Sequence, residues 1–593
     1  MTVEQTLLLR VLSTLLREDV GGLRTRSTIE ERSDGRWLRL ATGTGNTSAL
    51  LLPVREDGFQ SEFAARLPLL RTEPDGHDLT TGEEVLAALA EIAAEPEDRD
   101  GFTAFATEYQ DALAALRLQT ATHDQVTTYL ASQHGSDCAK WRGPSASLAF
   151  DTLAARSGHP LYPTGAARTG LSADDLRRYA PEFAPRFTLR WLALPIEAVT
   201  VRGLSPHERL DGLPGRYWPR PSDLGLPGLD DTHLALPVHP LTAAGPLREA
   251  LRATGLEDRA VLADRSLTEV EPTLSMRTVA LIAHPDTHLK LPLATSTLGL
   301  LNRRTIKPGS LVDGAATQRL LETVIAREPR FQGRILHADE TRYAHADHEL
   351  LAVLVRRQPA DLDTCTMLPL AALLSPAPDG RLVIDHLADR WFASNPLALF
   401  DAVLTLLLDW QTTLFGYGIA LESHQQNISL LLDETEQTTP SHPRVRLLFK
   451  DDDGPRINHA RLRAALGTSA PDPEQFADQR IFVDGDGPVL DLFVTITLHL
   501  CAGAFAYGLA EHGRTDRNRL LDLLRDRLDE AARRLGDRPG EPGAILRAHT
   551  LDAARLPAKA MVTAGTLLTK KRSGACDINK HYTTGPNYLL QSR

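Results

Sequence analysis

The sequence has few cysteines: Cys138, Cys365, Cys501 and Cys576 are the only ones in 593 residues. They are far apart, with neither CxxC spacing nor a tight histidine cluster, so free thiols in a reducing cytosol are the simplest account. Positive charge is not in excess either. Lys plus Arg number 65 against 77 Asp plus Glu, a net charge of -12, which gives a nucleic-acid partner no electrostatic help. No window approaches the roughly 20 uninterrupted apolar residues of a membrane helix. The most apolar segment, Ala398 to Trp410, is short, carries Asp401 and Asp409, and reads as a buried core helix. Glu4 and Arg10 interrupt the N-terminal apolar stretch, which does not resemble a secretory signal; a cytoplasmic protein with no membrane partner is expected. There is no GxxxxGK[ST] and no GxGxxG opening a helix, so neither a P-loop nor a Rossmann nucleotide site is indicated. Internal repeats and low-complexity tracts are also missing.

What is present is the composition of an ordinary globular protein, 42% hydrophobic and 24% charged. The length suits roughly two to four domains. Residues 1 to about 150 read as mostly helical: apolar residues recur at helical spacing in Val3 to Leu16, Glu83 to Ala94 and Phe102 to Leu118. Trp37 to Leu52 could form a small hairpin, and acidic Glu95 to Asp100 a turn or linker. From about 150 to 370 prolines and histidines become frequent, favouring strands and loops, with Phe187 to Val201 and Val279 to Leu293 as strand material. Past 370 the chain turns helical again, in Leu397 to Trp410, Val489 to Leu509 and Arg517 to Leu535. Ser375-Pro-Ala-Pro-Asp-Gly380 is the best linker candidate.

The stretch from Leu421 to Asp433 concentrates ligand-type side chains. If it is extended, a period of two puts Glu422, His424 and Gln426 on one face, with Asn427 opposite. A polar cluster between apolar flanks is costly to bury unless something satisfies it. The competing reading is a solvated loop with a chance Glu-x-His pattern. Lys450-Asp-Asp-Asp-Gly454 follows it in the chain.

Four further constellations stand out. In Ser157-Gly-His-Pro-Leu-Tyr-Pro163, continuing to Arg168-Thr-Gly170, two prolines stiffen the loop that presents His159; a lone histidine is nonetheless often structural. Leu236-Pro-Val-His-Pro240 repeats the His-Pro theme at His239, or simply ends a strand in a turn. Pro272-Thr-Leu-Ser-Met-Arg-Thr278, Lys290, Thr295-Ser-Thr297 and Asn302-Arg-Arg304 supply hydroxyl, guanidinium and ammonium donors, the set that holds phosphate oxygens. Lys290 lies between Leu289 and Leu291 on an expected strand, where a charge needs an anionic partner unless it is a surface lysine on a sheet edge. Lys559, in Leu556-Pro-Ala-Lys-Ala560, could reach a carboxylate or cap a helix. Cations in the middle region and acidic or amide groups in the last region suit ATP with magnesium. The residues alone indicate a phosphate-handling enzyme and no more.

These motifs, in this order, resemble the siderophore synthetases that work independently of nonribosomal peptide synthetases, the aerobactin synthetase family. Gly158-His159-Pro with Arg168 and Gly170 looks like that family's Gly-His-Pro-x-His-Pro-x-x-Lys-x-Arg-x-Gly. Val238-His-Pro, Ser275-x-Arg-Thr278, Lys290-Leu, Glu422-x-His-x-Gln-Asn427, Asp451-x-x-Gly454 and Lys559-Ala also match, covering most of the chain from about 150 onward. The resemblance implies an α+β, hand-like fold. Its parts are a helical thumb (1–150), fingers with an antiparallel sheet (151–375) and a helical, distantly kinase-like palm (376–593). It implies ATP and Mg2+, a citrate-like acid, an amine, hydroxylamine or alcohol nucleophile, and a homodimer. The acid is adenylated with loss of pyrophosphate, and the nucleophile then displaces AMP.

By the same resemblance Ser275, Arg277, Thr278 and Lys290 hold phosphates, while Glu422, Gln426, Asn427 and Asp451 serve metal or nucleotide, with Glu422, Asn427 and Asp451 as the metal set. His159, Arg168, Thr297, Asn302, Arg303 or Arg304, His424 and Lys559 line the acid and its adenylate, and His424 is the donor to developing charge. The chain departs from the pattern at Tyr162, where the family has a second histidine, at Ala166 for its lysine, at Lys450 for an arginine, and in a polar loop at Glu434 to Pro443. Two other classes remain: a small-molecule kinase and a catalytically inactive binding member.

Overall fold

Helix Val3–Arg17 begins at a capping box in which Thr2 and Gln5 satisfy each other's backbone amides, and its apolar face buries Leu7, Leu8, Val11, Leu12, Leu15 and Leu16. The computed structural model describes residues 1–42, 48–93, 95–203, 218–434, 443–569, 571 and 581–590; Cys576 and residues 435–442 of the expected polar loop lie outside them. Cys138, Cys365 and Cys501 are free thiols, all buried.

The first 150 residues are less helical than their periodicity suggests. A six-stranded antiparallel sheet occupies Thr28 to Leu79. Its first strand, Thr28–Arg32, buries no residue fully, so it has no apolar alternation to read. The Trp37 to Leu52 hairpin is present, with Trp37 opposite Pro53 and Leu40 opposite Leu50. Glu95 to Asp100 is no linker. Pro96 opens helix Pro96–Ala121, with Glu97 and Asp98 in its first turn, where acidic side chains favour a helix dipole.

A nine-stranded, antiparallel sheet dominates the middle of the chain. Its register decides which polar side chains meet. His288 lies opposite Arg356, and Lys290 opposite Leu354 and Thr278. Residues two apart share a face, so Lys290 and Arg356 are diagonal neighbours on one side of the sheet. An exposed lysine on a sheet edge is excluded: the strand is internal and Lys290 is 5% exposed.

A four-stranded sheet with the order Ile335–His337, Arg444–Phe449, Ile428–Asp433, Thr366–Pro369 carries the other polar cluster. Ile428 pairs with Phe449, so the residues before one strand and after the other are neighbours; the Lys450 amide donates to the Asn427 carbonyl at 3.1 Å. Helices Pro396–Gly416, Arg517–Arg533 and Gly487–Leu492, the last continuing through a π-helical stretch to Glu511, pack behind this sheet. Two of these, Pro396–Gly416 and Gly487–Glu511, are long and apolar enough for a membrane span, longer than Ala398 to Trp410 alone suggests. Both are mostly buried in a core that runs from Val126 to Leu589. Ser375 to Gly380, expected as a linker, is a tight turn in that core: Ser375 is buried, the Ala377 amide donates to the Arg381 carbonyl, and Leu373, Ala377 and Leu382 pack in the same cluster.

Candidate active site

The two sheets and the N-terminal helices enclose a cavity of about 320 Å³. Every residue to which the resemblance gives a binding or catalytic role lines it except Thr278 and Arg303. The wall thus holds His159, Arg168, Ser275, Arg277, Lys290, Thr297, Asn302, Arg304, Glu422, His424, Gln426, Asn427, Asp451 and Lys559. Thr278 is fully buried behind Ser275, 3.4 Å from its hydroxyl. Arg303 points into a neighbouring cavity of about 160 Å³ and pairs with Glu349 at 3.0 Å. That smaller cavity shares Arg277, Lys290, Asn302, Arg304 and Asp453 with the first, and Ile306, Leu311 and Leu354 give it an apolar side.

The Leu421 to Asn427 stretch is not a strand. It runs through turns, with the His424 amide on the Glu422 carbonyl at 3.0 Å and the Asn427 amide on the His424 carbonyl at 2.9 Å, and regular pairing starts only at Ile428. Burial still alternates: Glu422, His424 and Gln426 are half-buried towards the cavity, and Ser423, Gln425 and Asn427 are buried. The expected face therefore exists, although Gln425 and Asn427 reach the cavity too. The buried side is anchored to the π-helical stretch. Gln425 Nε2 donates to the Leu500 carbonyl at 2.6 Å, and the Cys501 thiol to the Ser423 carbonyl at 3.2 Å. A π register disturbs the usual carbonyl pairing and exposes acceptors of this kind.

Charge is concentrated at Asp451. Lys290 Nζ lies 2.5 Å and Arg356 Nη2 2.8 Å from its Oδ1, Lys290 also lies 3.7 Å from Asp453, and Arg356 pairs in addition with Glu340. The Asp451 backbone, held left-handed at φ 60°, donates to Glu340 at 3.1 Å. Burial pushes the Asp451 carboxyl up, but Arg356 and Lys290 outweigh it and hold the group well below the usual carboxylate range. Burial raises Glu340, against the pull of Arg356. Arg277 donates to the Thr305 carbonyl at 2.6 Å, and Arg304 reaches the Ser275 hydroxyl at 3.5 Å. Burial, with Arg277 nearby, pushes Arg304 down to about 9.

The histidines are neutral. Burial, then Lys559, lowers His424 to about 4, and burial, then His424 and Arg10, lowers His159 to about 3. His159 Nδ1 accepts the amides of Leu161 and Tyr162 at 3.1 and 2.8 Å, which leaves the ring proton on Nε2. His239 does not reach the cavity. It ends strand His233–Val238 and caps the next helical turn by accepting the Leu241 amide at 3.2 Å. Tyr162 donates to buried Glu108 at 2.8 Å.

Sequence reasoning missed Arg356, Glu340, Asp453, Arg10 and Glu108. Arg356 and Glu340 lie on strands whose register the sequence does not disclose, and Arg10 and Glu108 belong to helices that show only apolar periodicity. Asp453 was visible in the Asp451-x-x-Gly454 match but carried no role.

Along the cavity wall the cations Arg10, Arg156, Arg168, Arg277, Lys290, Arg304 and Lys559 outnumber the carboxylates Glu182, Glu422, Asp451 and Asp453. Among the described residues no group of three or more His, Cys, Asp or Glu side chains forms a metal cage. Glu422 packs against Gly454, its carboxyl carbon 3.3 Å from where a Cβ would stand, which brings it beside the turn that carries Asp451 and Asp453. Asn427 Nδ2 donates to the Glu422 carbonyl at 2.9 Å, leaving its oxygen as a ligand atom. These hard oxygen donors fit magnesium, which is ordinarily held by one or two carboxylates together with phosphate and water.

Residues 147–375 match the model of the IucA / IucC family. Residues 397–572 match a second model, described as ferric iron reductase FhuF-like transporter. The staphyloferrin A synthase of Staphylococcus aureus is 25% identical over 338 residues, 53% of this chain and 54% of that protein. The rhizobactin siderophore biosynthesis protein RhbC of Rhizobium meliloti is 26% identical over 502 residues, 78% of this chain and 80% of that one. An L-2,3-diaminopropanoate–citrate ligase of Staphylococcus aureus is 29% identical over 138 residues, 23% of each chain. The chain spans about half the length of several curated relatives it matches. In fold it is similar to the petrobactin biosynthesis protein AsbB of Bacillus anthracis, with TM-score 0.74 and 17% identity over 100% of this chain and 96% of the other. ATP-bound aerobactin synthetase IucA of Klebsiella pneumoniae gives 0.67 and 18%, covering 99% of each.

Proposed function

We propose that the chain is an ATP-dependent ligase of siderophore biosynthesis that adenylates a carboxylate of citrate or a related acid and transfers the acyl group to an amine, hydroxylamine or alcohol. The observation that carries this reading is the convergence of Ser275, Arg277, Lys290 and Arg304 from the antiparallel sheet and its following loop with Glu422, Asn427, Asp451 and Asp453 on one cavity. A carboxylate and a triphosphate repel each other, and the excess of cations on the wall offsets that repulsion and fixes the line of attack.

In the first step a carboxylate oxygen bonds to the α-phosphorus, the bond to the β-phosphate oxygen breaks, and pyrophosphate leaves. In the second the nucleophile attacks the acyl carbon, the carbon–oxygen bond to AMP breaks, and the nucleophile loses a proton. Ser275, Arg277 and Lys290 hold phosphate oxygens. Arg304 is the better fit than Arg303 for the acid, because it faces the cavity shared with His159, Thr297, Asn302, His424 and Lys559. His424, neutral, donates through one N–H. Glu422, Asn427, Asp451 and the adjoining Asp453 would hold magnesium, which would supply charge neutralisation on the phosphates. The smaller cavity, apolar on one side and continuous with the phosphate cations, suits the base and ribose. The thumb, fingers and palm division, a homodimer and a cytoplasmic location belong to the same reading. A relative whose name joins citrate to an amine supports the choice of acid.

The test is ATP–pyrophosphate exchange with a panel of carboxylic acids. Citrate-dependent exchange is expected. Formation of ADP in place of AMP would assign the site to a kinase, and no exchange with any acid would leave a binding protein.

A further inference from the structure

Lys559 ends strand Arg555–Lys559 and leads into a short, irregular helical segment that closes at Leu567. That segment is tied to the N-terminal region by two buried carboxylates. Glu18 accepts the Val562 amide at 3.1 Å on one oxygen, and the Thr563 amide and hydroxyl, both at 2.8 Å, on the other. Glu108 accepts the Thr566 hydroxyl at 2.6 Å on one oxygen, and the hydroxyls of Tyr162 at 2.8 Å and Thr164 at 2.6 Å on the other. Their exposures are only 4% and 3%.

The same two helices hold the facing walls. Arg10 donates to the His159 carbonyl at 2.6 Å and Arg17 to the Leu161 carbonyl at 2.9 Å, so the helix that ends at Glu18 also grips the His159 loop. Thr566 accepts the Leu300 amide at 3.2 Å, and the Gly565 carbonyl accepts the Leu301 amide at 3.0 Å, which docks the loop of Thr297 and Asn302 on the segment. Burying two carboxylates is a poor route to stability, since apolar packing would serve as well or better. What a carboxylate adds is several directional acceptors, able to fix separate backbone segments at set angles.

We propose that Glu18 and Glu108 are positioning residues for Lys559, setting its strand end against the His159 and Thr297 loops so that the acid-binding side of the cavity is built from the first 110 or so residues as much as from the motifs. Tyr162 serves this network through Glu108. The inference rests on the reading that Lys559 faces the acid.

The test compares Glu18→Gln, Glu108→Gln, Thr566→Val and Thr566→Ser by pyrophosphate exchange, with KM measured separately for citrate and ATP. The Gln variants and Thr566→Val should raise the citrate KM about tenfold or more and move the ATP KM less than about twofold, because misplacement is confined to one side of the site. Thr566→Ser, which keeps the hydroxyl, should restore the citrate KM. Equal changes in both constants, no change in either, or failure of serine to rescue would overturn the proposal. The threonine pair decides the matter if a Gln variant does not fold. Absence of exchange in the unaltered protein with every acid would instead sink the proposed function, a result seen before any variant is made.

Discussion

Lys290 Nζ stands 2.5 Å from Asp451 Oδ1, joining the central antiparallel sheet to the turn after strand Arg444–Phe449. The pair is shared, since Arg356 reaches the same oxygen from the next strand. Replacing Lys290 by alanine therefore leaves Asp451 with one cation. Exchange activity should fall at least about a hundredfold, the scale of a lost electrostatic donor. Circular dichroism should show a folded protein, and activity equal to the unaltered enzyme would remove Lys290 from the site.

Arg356 should behave differently. It is nearly inaccessible and serves both Glu340 and Asp451, so Arg356→Ala removes the paired cation of Glu340 in the interior and leaves Asp451 with Lys290 alone. Breaking a buried pair from one side costs about 3–5 kcal/mol. Urea unfolding should show a loss on that scale, larger than for Lys290→Ala. A smaller loss would mean that water reaches Glu340.

The neutral histidines set a pH dependence. His424 and His159 are lowered to about 4 and about 3 from an ordinary value near 6.5, so the unfolded chain binds more protons than the fold between those values. Their contribution to stability is complete above about 6.5 and is lost as the pH falls towards 4 and below. Denaturation midpoints should decline over that window, and His424→Asn should reduce the slope by up to one proton. The citrate kcat/KM should show no histidine step between about pH 6 and 8; a step there would mean a protonated His424.

The sequence carried the site further than the fold. His159, Lys290 and His424 stand in short motifs whose neighbours fix them locally: prolines around His159, apolar residues around Lys290. Arg356 has no such signature, because its place depends on pairing with His288 across a sheet whose register is a long-range property. The N-terminal sheet was missed for a related reason, since Thr28–Arg32 has no buried face. Pro96 misled in the opposite sense: an acidic, proline-led stretch reads as a linker, while the same residues are well suited to begin a helix.

Gly299 tests the packing beneath the acid side. Its φ is 111°, and a Cβ there would lie 2.7 Å from the Gly565 Cα, a backbone atom that cannot swing aside. Gly299→Ala should destabilise by about 1–3 kcal/mol through strain and overpacking. Thermal melting checks the cost. A melting temperature within error of the unaltered protein would show that the 296–302 loop and the Lys559 segment are free to separate.

The last expectation concerns magnesium. Glu422 is held beside Gly454 at the mouth of the Asp451 turn, and neither Asp451, shared by two cations, nor Asn427, with its amide nitrogen engaged, makes a complete cage. Metal affinity should then depend on ATP as much as on protein. Chelation with EDTA should abolish exchange, and Glu422→Gln should raise the Mg2+ concentration for half-maximal activity by about 10-fold or more. Titration of exchange against free Mg2+ at saturating ATP measures this. If Glu422→Gln leaves the Mg2+ midpoint in place while lowering the rate, Glu422 acts on the nucleotide or the turn, and Asp453 becomes the carboxylate to replace next.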